Sequence, residues 1–408
     1  MTQTLVRQAT VTPQEDARRR AAYPVGASVT VDDLGAADCA EVVAELRSAE
    51  PVSWVPAIGG WLVTSRGGAR EFLGRNAPVT VEAEENLVRA SLGRMMLTVD
   101  GDEHARMRKP LEWPFRVNTV RELFGAEIAE LADDLVDGFA EAGEVVLDDA
   151  FAMPFAVRMS GQSLGLSFAE IERIDAFYSA FAGAMVYDGD PAPVRAAEAA
   201  RAELDEILLS EIARGRANPG HSLTSVLAQD SRGLTDQEIA DQLRVVMFGA
   251  IETIQASVLS TVYLLLQHPD QADAVRADPT LLDGAQEEAR RLIPPVAFVE
   301  RWTREDFAVA GVTIPAHEFV GVSVVATNRD PETFEDPDRF DIRRTNANKG
   351  LSFSFGPHAC LGIHMARLQT TIAVESLLSR LPGLTLVDAD APTGFTFRRP
   401  TSVRVRWS

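Results

Sequence analysis

Phe353-Ser354-Phe355-Gly356-Pro357-His358-Ala359-Cys360-Leu361-Gly362 sets a thiol between glycines, just ahead of a helix-like stretch. A sulfur at such a junction can be held as a thiolate, because backbone N–H groups and the positive end of the helix both favour the anion. A thiolate can attack an acyl group, exchange electrons or bind a metal. On its own, a single cysteine is more often a small core residue than a ligand, so the rest of the chain has to decide among these.

The composition narrows the choice. The chain has 408 residues, 46% hydrophobic and 7% aromatic, which fits a globular protein with an ample core. A net charge of −21 without an offsetting basic stripe argues against a nucleic-acid partner. Cys39 and Cys360 lie far apart, giving neither a disulfide framework nor a paired-cysteine zinc pattern, and a reduced cytoplasm is expected. No apolar run approaches the ~20 residues needed to cross a bilayer, so no membrane association is expected. Residues 1–24 lack a hydrophobic block and carry the Arg18-Arg19-Arg20 run, and are expected to form a flexible leader before a single domain over 25–408.

The pattern along the chain predicts a mainly α protein with a minor β region. Trp54–Thr64 and Phe307–Pro315 read as hairpins, and the tail from Phe395 to Trp407 alternates like a small sheet. Helical patterns cover Glu122–Gly138, Phe168–Met185 and Pro193–Arg214, separated by breakers at Asp188-Gly189-Asp190-Pro191 and Asn218-Pro219-Gly220. The longest predicted helix runs from Asp236 to His268, opened by a Thr235/Glu238 capping box and closed by Pro269. At 1.5 Å per residue it would be roughly 50 Å long. Its middle, Val245 to Ile254, is nearly all apolar, which makes Glu252 and Thr253 conspicuous in a core helix.

Four features stand out, and each has an ordinary explanation when taken alone. His104 and Arg108 are four apart and could clasp an anion, or could be a solvated charged face. Glu252 could be a paired core glutamate, and Thr253 a threonine bonding back to the preceding turn. Glu288 and Arg291 could pair across one helical turn before Pro294-Pro295. The fourth is the Cys360 loop.

Together, in this order and spacing, they resemble the cytochrome P450 family of haem-thiolate monooxygenases. The cysteine loop matches the family's Phe-x-x-Gly-x-x-x-Cys-x-Gly signature, and Glu288-Ala289-Arg290-Arg291 matches its Glu-x-x-Arg helix. Phe298-Val299-Glu300-Arg301, Ala326-Thr327-Asn328-Arg329-Asp330-Pro331 and Asp336-Pro337-Asp338-Arg339-Phe340 match the segments that follow. The likeness covers about residues 25 to 408.

The resemblance implies the cytochrome P450 fold, with haem b between the long central helix and the cysteine loop. It makes Cys360 the iron ligand, whose thiolate favours O–O cleavage. His104, Arg108, Arg301 and His358 would hold the haem propionates, with Phe353, Gly362, Gly249 and Ala250 also against the cofactor. Glu288 and Arg291 would be structural, locking their helix to the stretch around Arg339. Thr253 would donate a hydrogen bond to the bound oxygen and Glu252 would relay protons. Three positions depart from the usual pattern. Gly249-Ala250 stands where Ala-Gly is frequent, Ser354 where glycine often follows the phenylalanine, and Ile254 where a second threonine is common.

With no flavin or iron–sulfur module in the chain, electrons are expected from NAD(P)H through a separate ferredoxin and reductase. The only lysines, Lys109 and Lys349, with Arg106, Arg116 and Arg367, fall beside the matched motifs and suggest a basic docking patch. O2 would be the co-substrate and a small hydrophobic molecule the substrate, its pocket lined in part by Phe177–Tyr187, with hydroxylation the expected reaction. Val55–Gly59 and Phe397–Val403 loosely resemble members that demethylate methoxy-aromatics. A peroxide-driven oxidation is disfavoured by the intact Glu252-Thr253 pair. A cysteine-nucleophile hydrolase using His358 or His364 would leave Glu252, Thr253, His104 and Arg108 without a purpose.

Overall fold

The computed structural model describes residues 11–185 and 192–408. It is 59% helical with small sheets, the mainly α class expected. The breaker at Asp188–Pro191 and the end of the Phe177–Tyr187 segment lie outside the described residues, as do residues 1–10 of the expected leader.

The chain divides into two compact units, each drawn from several stretches of sequence. The first comprises residues up to 83, 263–360 and 390–401; the second comprises 84–262, 361–389 and 402–408.

The first unit carries a five-stranded sheet in the order Val52–Val55, Gly60–Val63, Phe319–Ser323, Phe298–Thr303, Val79–Thr80. Gly60–Val63 and Phe319–Ser323 run parallel and the other pairs antiparallel. The first hairpin turns through Pro56–Ile58 into Gly59, whose φ of 66° suits glycine. One face packs Leu62, Phe298, Trp302 and Phe319 on the helix Cys39–Ala49. The other packs Trp54, Trp61, Val320 and Val322 with Phe72 and Leu351. The hairpin predicted at 307–315 is present as Phe307–Val309 and Val312–Ile314.

Part of the expected leader is ordered, which corrects that expectation for residues 13–22. Pro13–Ala22 is a helix whose Thr12 hydroxyl accepts from the Glu15 N–H. The Arg18-Arg19-Arg20 run does not all face water. Arg19 is buried, forked onto Glu318 at 2.9 and 3.0 Å, and stacked 4.5 Å over Trp54. Those partners lie up to 299 residues away in sequence, so no local pattern could have shown them.

The second unit is helical, with a three-stranded sheet of Glu144–Val146, Arg404–Arg406 and Thr385–Asp388. Val117–Asp137 packs on Ile363–Arg380, and Ile174–Ala184 on Ala192–Ala217. The predicted helix at 168–185 is two helices, Phe168–Ile171 and Ile174–Ala184, the first opened by a Ser167/Glu170 capping box. Most of the long helix, Asp236–Gln267, belongs here, and its Thr235/Glu238 capping box is formed as expected. That helix is long and apolar enough to span a bilayer, yet 72% of its most apolar window is buried within the protein.

Candidate active site

In the first unit the Glu-x-x-Arg motif is built into the interior. Glu288 and Arg291 are almost fully buried and meet in a two-pronged ion pair at 2.7 and 2.8 Å. Arg291 also donates to the carbonyls of Asn328 at 3.0 Å, Pro337 at 2.5 Å and Arg339 at 3.2 Å. Only the fixed fork of a guanidinium satisfies this many acceptors at once. The second cation on Glu288 is Arg344 at 2.8 Å, whereas the Arg339 side chain is exposed and contributes its backbone. The pair across one helical turn is thus formed, but in the interior and not on a solvated helix end.

The same network reaches the cysteine loop. The Asn328 side chain accepts from the Leu351 N–H at 2.6 Å and donates to Ser352 at 2.8 Å. Ser352 donates in turn to the Arg290 carbonyl at 2.7 Å, and the Arg290 guanidinium lies 5.3 Å from the Phe353 ring. The Cys360 N–H donates to the Phe353 carbonyl at 2.8 Å, closing the loop, and the cysteine is exposed and not in a disulfide. Phe353, Phe355, Pro357 and His358 around it are only half-buried.

Two left-handed residues shape this loop. Gly356, at φ 76°, has no room for a side chain, because a Cβ there would lie 2.0 Å from the Leu73 carbonyl oxygen. Ser354, in a position where glycine is frequent, adopts φ 61° and buries a hydroxyl without a hydrogen-bond partner. The turn survives the substitution at an energetic cost. Ser354→Gly is therefore expected to stabilise the protein by about 1–2 kcal/mol. A urea midpoint unchanged or lowered in that variant would count against the strain. Arg301 sits in strand Phe298–Thr303, buried, donating to the Glu300 carbonyl at 2.5 Å.

In the second unit His104 and Arg108 share a face of helix Gly101–Glu112, His104 buried and Arg108 half-buried. Arg106 bridges Glu103 at 2.9 Å to Glu238, tying this helix to the start of the long one. Those bonds hold the Glu103 carboxyl down at about 2 and push the Arg106 guanidinium up. Arg106 is thus committed to carboxylates, and its place in the expected docking patch falls away. Lys109, Lys349 and Arg116 are exposed. Gly362 caps the helix Ile363–Arg380.

The long helix is buried around its middle except at one place. Val245, Met247, Phe248, Ile251 and Ile254 are buried, while Gly249 is exposed, with nothing within 4 Å of where a Cβ would be. Thr253 donates to the Gly249 carbonyl at 2.6 Å, Ser257 to Thr253 at 2.8 Å and Thr261 to Ser257 at 2.7 Å. This ladder of hydroxyls bonded back one turn satisfies Thr253, Ser257 and Thr261 within an apolar helix. Glu252 is half-buried and accepts a hydrogen bond from the Tyr178 hydroxyl.

A family model for cytochrome P450 matches residues 216–388. The cytochrome P450 monooxygenase PikC of Streptomyces venezuelae is 35% identical over 392 residues, covering 90% of this chain and 91% of its own. The 6-deoxyerythronolide B hydroxylase of Saccharopolyspora erythraea is 32% identical over 387 residues, 88% of this chain and 94% of its own. The solved structure of CalO2 has a TM-score of 0.83 at 28% identity, covering 93% of this chain and 99% of that one. The chain belongs to the cytochrome P450 family.

It is accordingly a monooxygenase with the cytochrome P450 fold, which sets aside the hydrolase reading. The residues fit the family's haem-thiolate cofactor. Among the described residues no group of three or more His, Cys, Asp or Glu could hold a bare metal ion. A single exposed thiol instead suits an iron that brings its own nitrogen ligands. The half-buried aromatic rings beside Cys360 are apolar faces that a flat ring can cover. Tyr178 and Arg344 were missed as members of the networks around Glu252 and Glu288. Both join their partners across more than 50 residues of sequence, 74 and 56 respectively.

Proposed function

We propose that this cytochrome P450 inserts one atom of O2 into a small hydrophobic organic molecule, hydroxylation being the main reaction. Residues 25–408 act as one cytoplasmic catalytic domain, and electrons arrive from NAD(P)H through a separate ferredoxin and reductase. Haem, when bound, supplies the oxygen activation. Cys360 would hold its iron, and His104, Arg108, Arg301 and His358 its propionates. Phe353, Gly249, Ala250 and Gly362 would border the ring.

The observation that carries the reading is the intact acid–alcohol pair beside the one bare turn of the long helix. Glu252 would take protons from solvent and Thr253 would hold one at Oγ1, a use for two polar groups in an otherwise apolar core segment. An enzyme driven by peroxide has no need of that delivery. Support for hydroxylation comes from relatives, one of which is named as the hydroxylase of 6-deoxyerythronolide B.

The test is a substrate screen by Soret shift on the haem protein, followed by turnover with ferredoxin, reductase and NADPH under isotopically labelled dioxygen. One labelled oxygen atom in the product supports the proposal. Peroxide alone driving product at the same rate would overturn the oxygen-and-electron reading, and release of formaldehyde would mark O-demethylation instead.

A further inference from the structure

We infer that Tyr178 is a positioning residue that holds the Glu252 carboxylate for proton delivery; this rests on the role proposed for Glu252. Tyr178 lies on helix Ile174–Ala184, in a segment that the sequence suggested would line the substrate pocket. Its ring is stacked on Phe248, with centroids 5.3 Å apart and planes inclined by 25°, and both rings are buried. Its hydroxyl donates to Oε2 of Glu252. Phe248 and Glu252 are four residues apart, so ring and hydroxyl engage one face of the long helix. The stack fixes where the phenol points, and the phenol fixes the carboxylate.

The neighbouring residues keep the tyrosine in place. On its own helix Phe177 and Phe181 are buried, and the Phe181 carbonyl accepts from the Ser91 hydroxyl at 2.9 Å. The choice of a phenol has a chemical consequence. A neutral donor restrains a carboxylate without fixing a positive charge beside it, so gaining a proton does not break an ion pair. A lysine or arginine in that place would oppose each protonation. Tyr178 thus holds the carboxylate in position without placing a positive charge beside it.

The experiment uses the haem-loaded Tyr178→Phe, Glu252→Gln and double variants, with product formed per electron consumed as one readout. Tyr178→Phe is expected to lower that yield about fivefold, the value of one modest hydrogen bond, with an unchanged substrate-induced Soret shift. Because Tyr178 acts through Glu252, the double variant should do no worse than Glu252→Gln alone. A second readout needs no turnover. With meta-fluorotyrosine incorporated, the fluorine resonance that disappears in Tyr178→Phe should be the one that moves in Glu252→Gln, a variant that retains Tyr178.

Full coupling in Tyr178→Phe, multiplied losses in the double variant, or an unmoved resonance in Glu252→Gln would each overturn the inference. A tyrosine with only a packing role would lower the unfolding midpoint and leave product per electron unchanged. If Glu252→Gln itself keeps full coupling, the proton role of Glu252 fails and takes this inference with it. If that variant loses coupling while Tyr178→Phe does not, only the inference about Tyr178 fails.

Discussion

Arg291→Leu is expected to yield little or no folded haem protein. The substitution leaves Glu288 fully buried with Arg344 as its remaining cation, and takes the donor from the carbonyls of Asn328, Pro337 and Arg339. Breaking a buried ion pair from one side typically costs about 3–5 kcal/mol. That is a large fraction of a typical protein's whole stability of roughly 5–15 kcal/mol. The damage should also be directed. Asn328 links the arginine to Leu351 and Ser352, two and one residues ahead of Phe353, so the loop carrying Cys360 loses its anchor. The measurement is haem content per chain together with the urea midpoint, alongside Arg291→Lys. Lysine restores the charge without the fork and should recover only part of both. A Leu variant with full haem content and a midpoint near the parent's would refute the structural role assigned to the pair.

Thr253→Ala should have the opposite character, with the fold intact and the chemistry impaired. In the structure its hydroxyl gives its proton to the Gly249 carbonyl, a bond within one helical turn whose loss costs the fold little. The proton expected to be presented outward is therefore held by that carbonyl at rest, and the lone pairs of Oγ1 remain to accept. Donation from Thr253 requires the Gly249 bond to be exchanged. Product formation is expected to fall by about 100-fold, the lower end of what a positioned proton-transfer group contributes. Electron consumption should continue, its equivalents recovered as hydrogen peroxide. Thr253→Ser should retain most of the coupling and Thr253→Val should behave like alanine, which separates the hydroxyl from the shape of the side chain. Unchanged product per electron in Thr253→Ala would remove the residue from the mechanism.

What the sequence revealed, and what it concealed, follows the distance over which each feature is determined. The long helix was legible because its start, at Thr235 and Glu238, and its stop, at Pro269, are local signals bracketing an apolar run. The hairpins at 52–63 and 307–314 follow the same logic. The cysteine loop was legible because its phenylalanine, glycines and thiol fall within ten consecutive residues, Phe353 to Gly362, although the clash with Leu73 that requires Gly356 lies far away in sequence. The helix at Pro13–Ala22 was not, because what orders it is a bond from Arg19 to Glu318. Composition alone reads three consecutive arginines as solvated. Glu252 shows a subtler limit. Its presence in a core helix called for a partner, but nothing local could name Tyr178. In the docking patch, a count of cations overstated the positive charge, since Arg106 is spent on Glu103 and Glu238.

The central claim is that the sulfur of Cys360 binds haem iron. It is tested most directly by the absorption spectrum of the purified protein, reduced and exposed to carbon monoxide. The strongly red-shifted Soret band of an intact thiolate complex is expected in the parent, and its loss in Cys360→His, which substitutes a nitrogen for the sulfur. A parent protein that lacks that band after expression with ample haem precursor, or a Cys360→His variant that keeps it, would contradict the assignment.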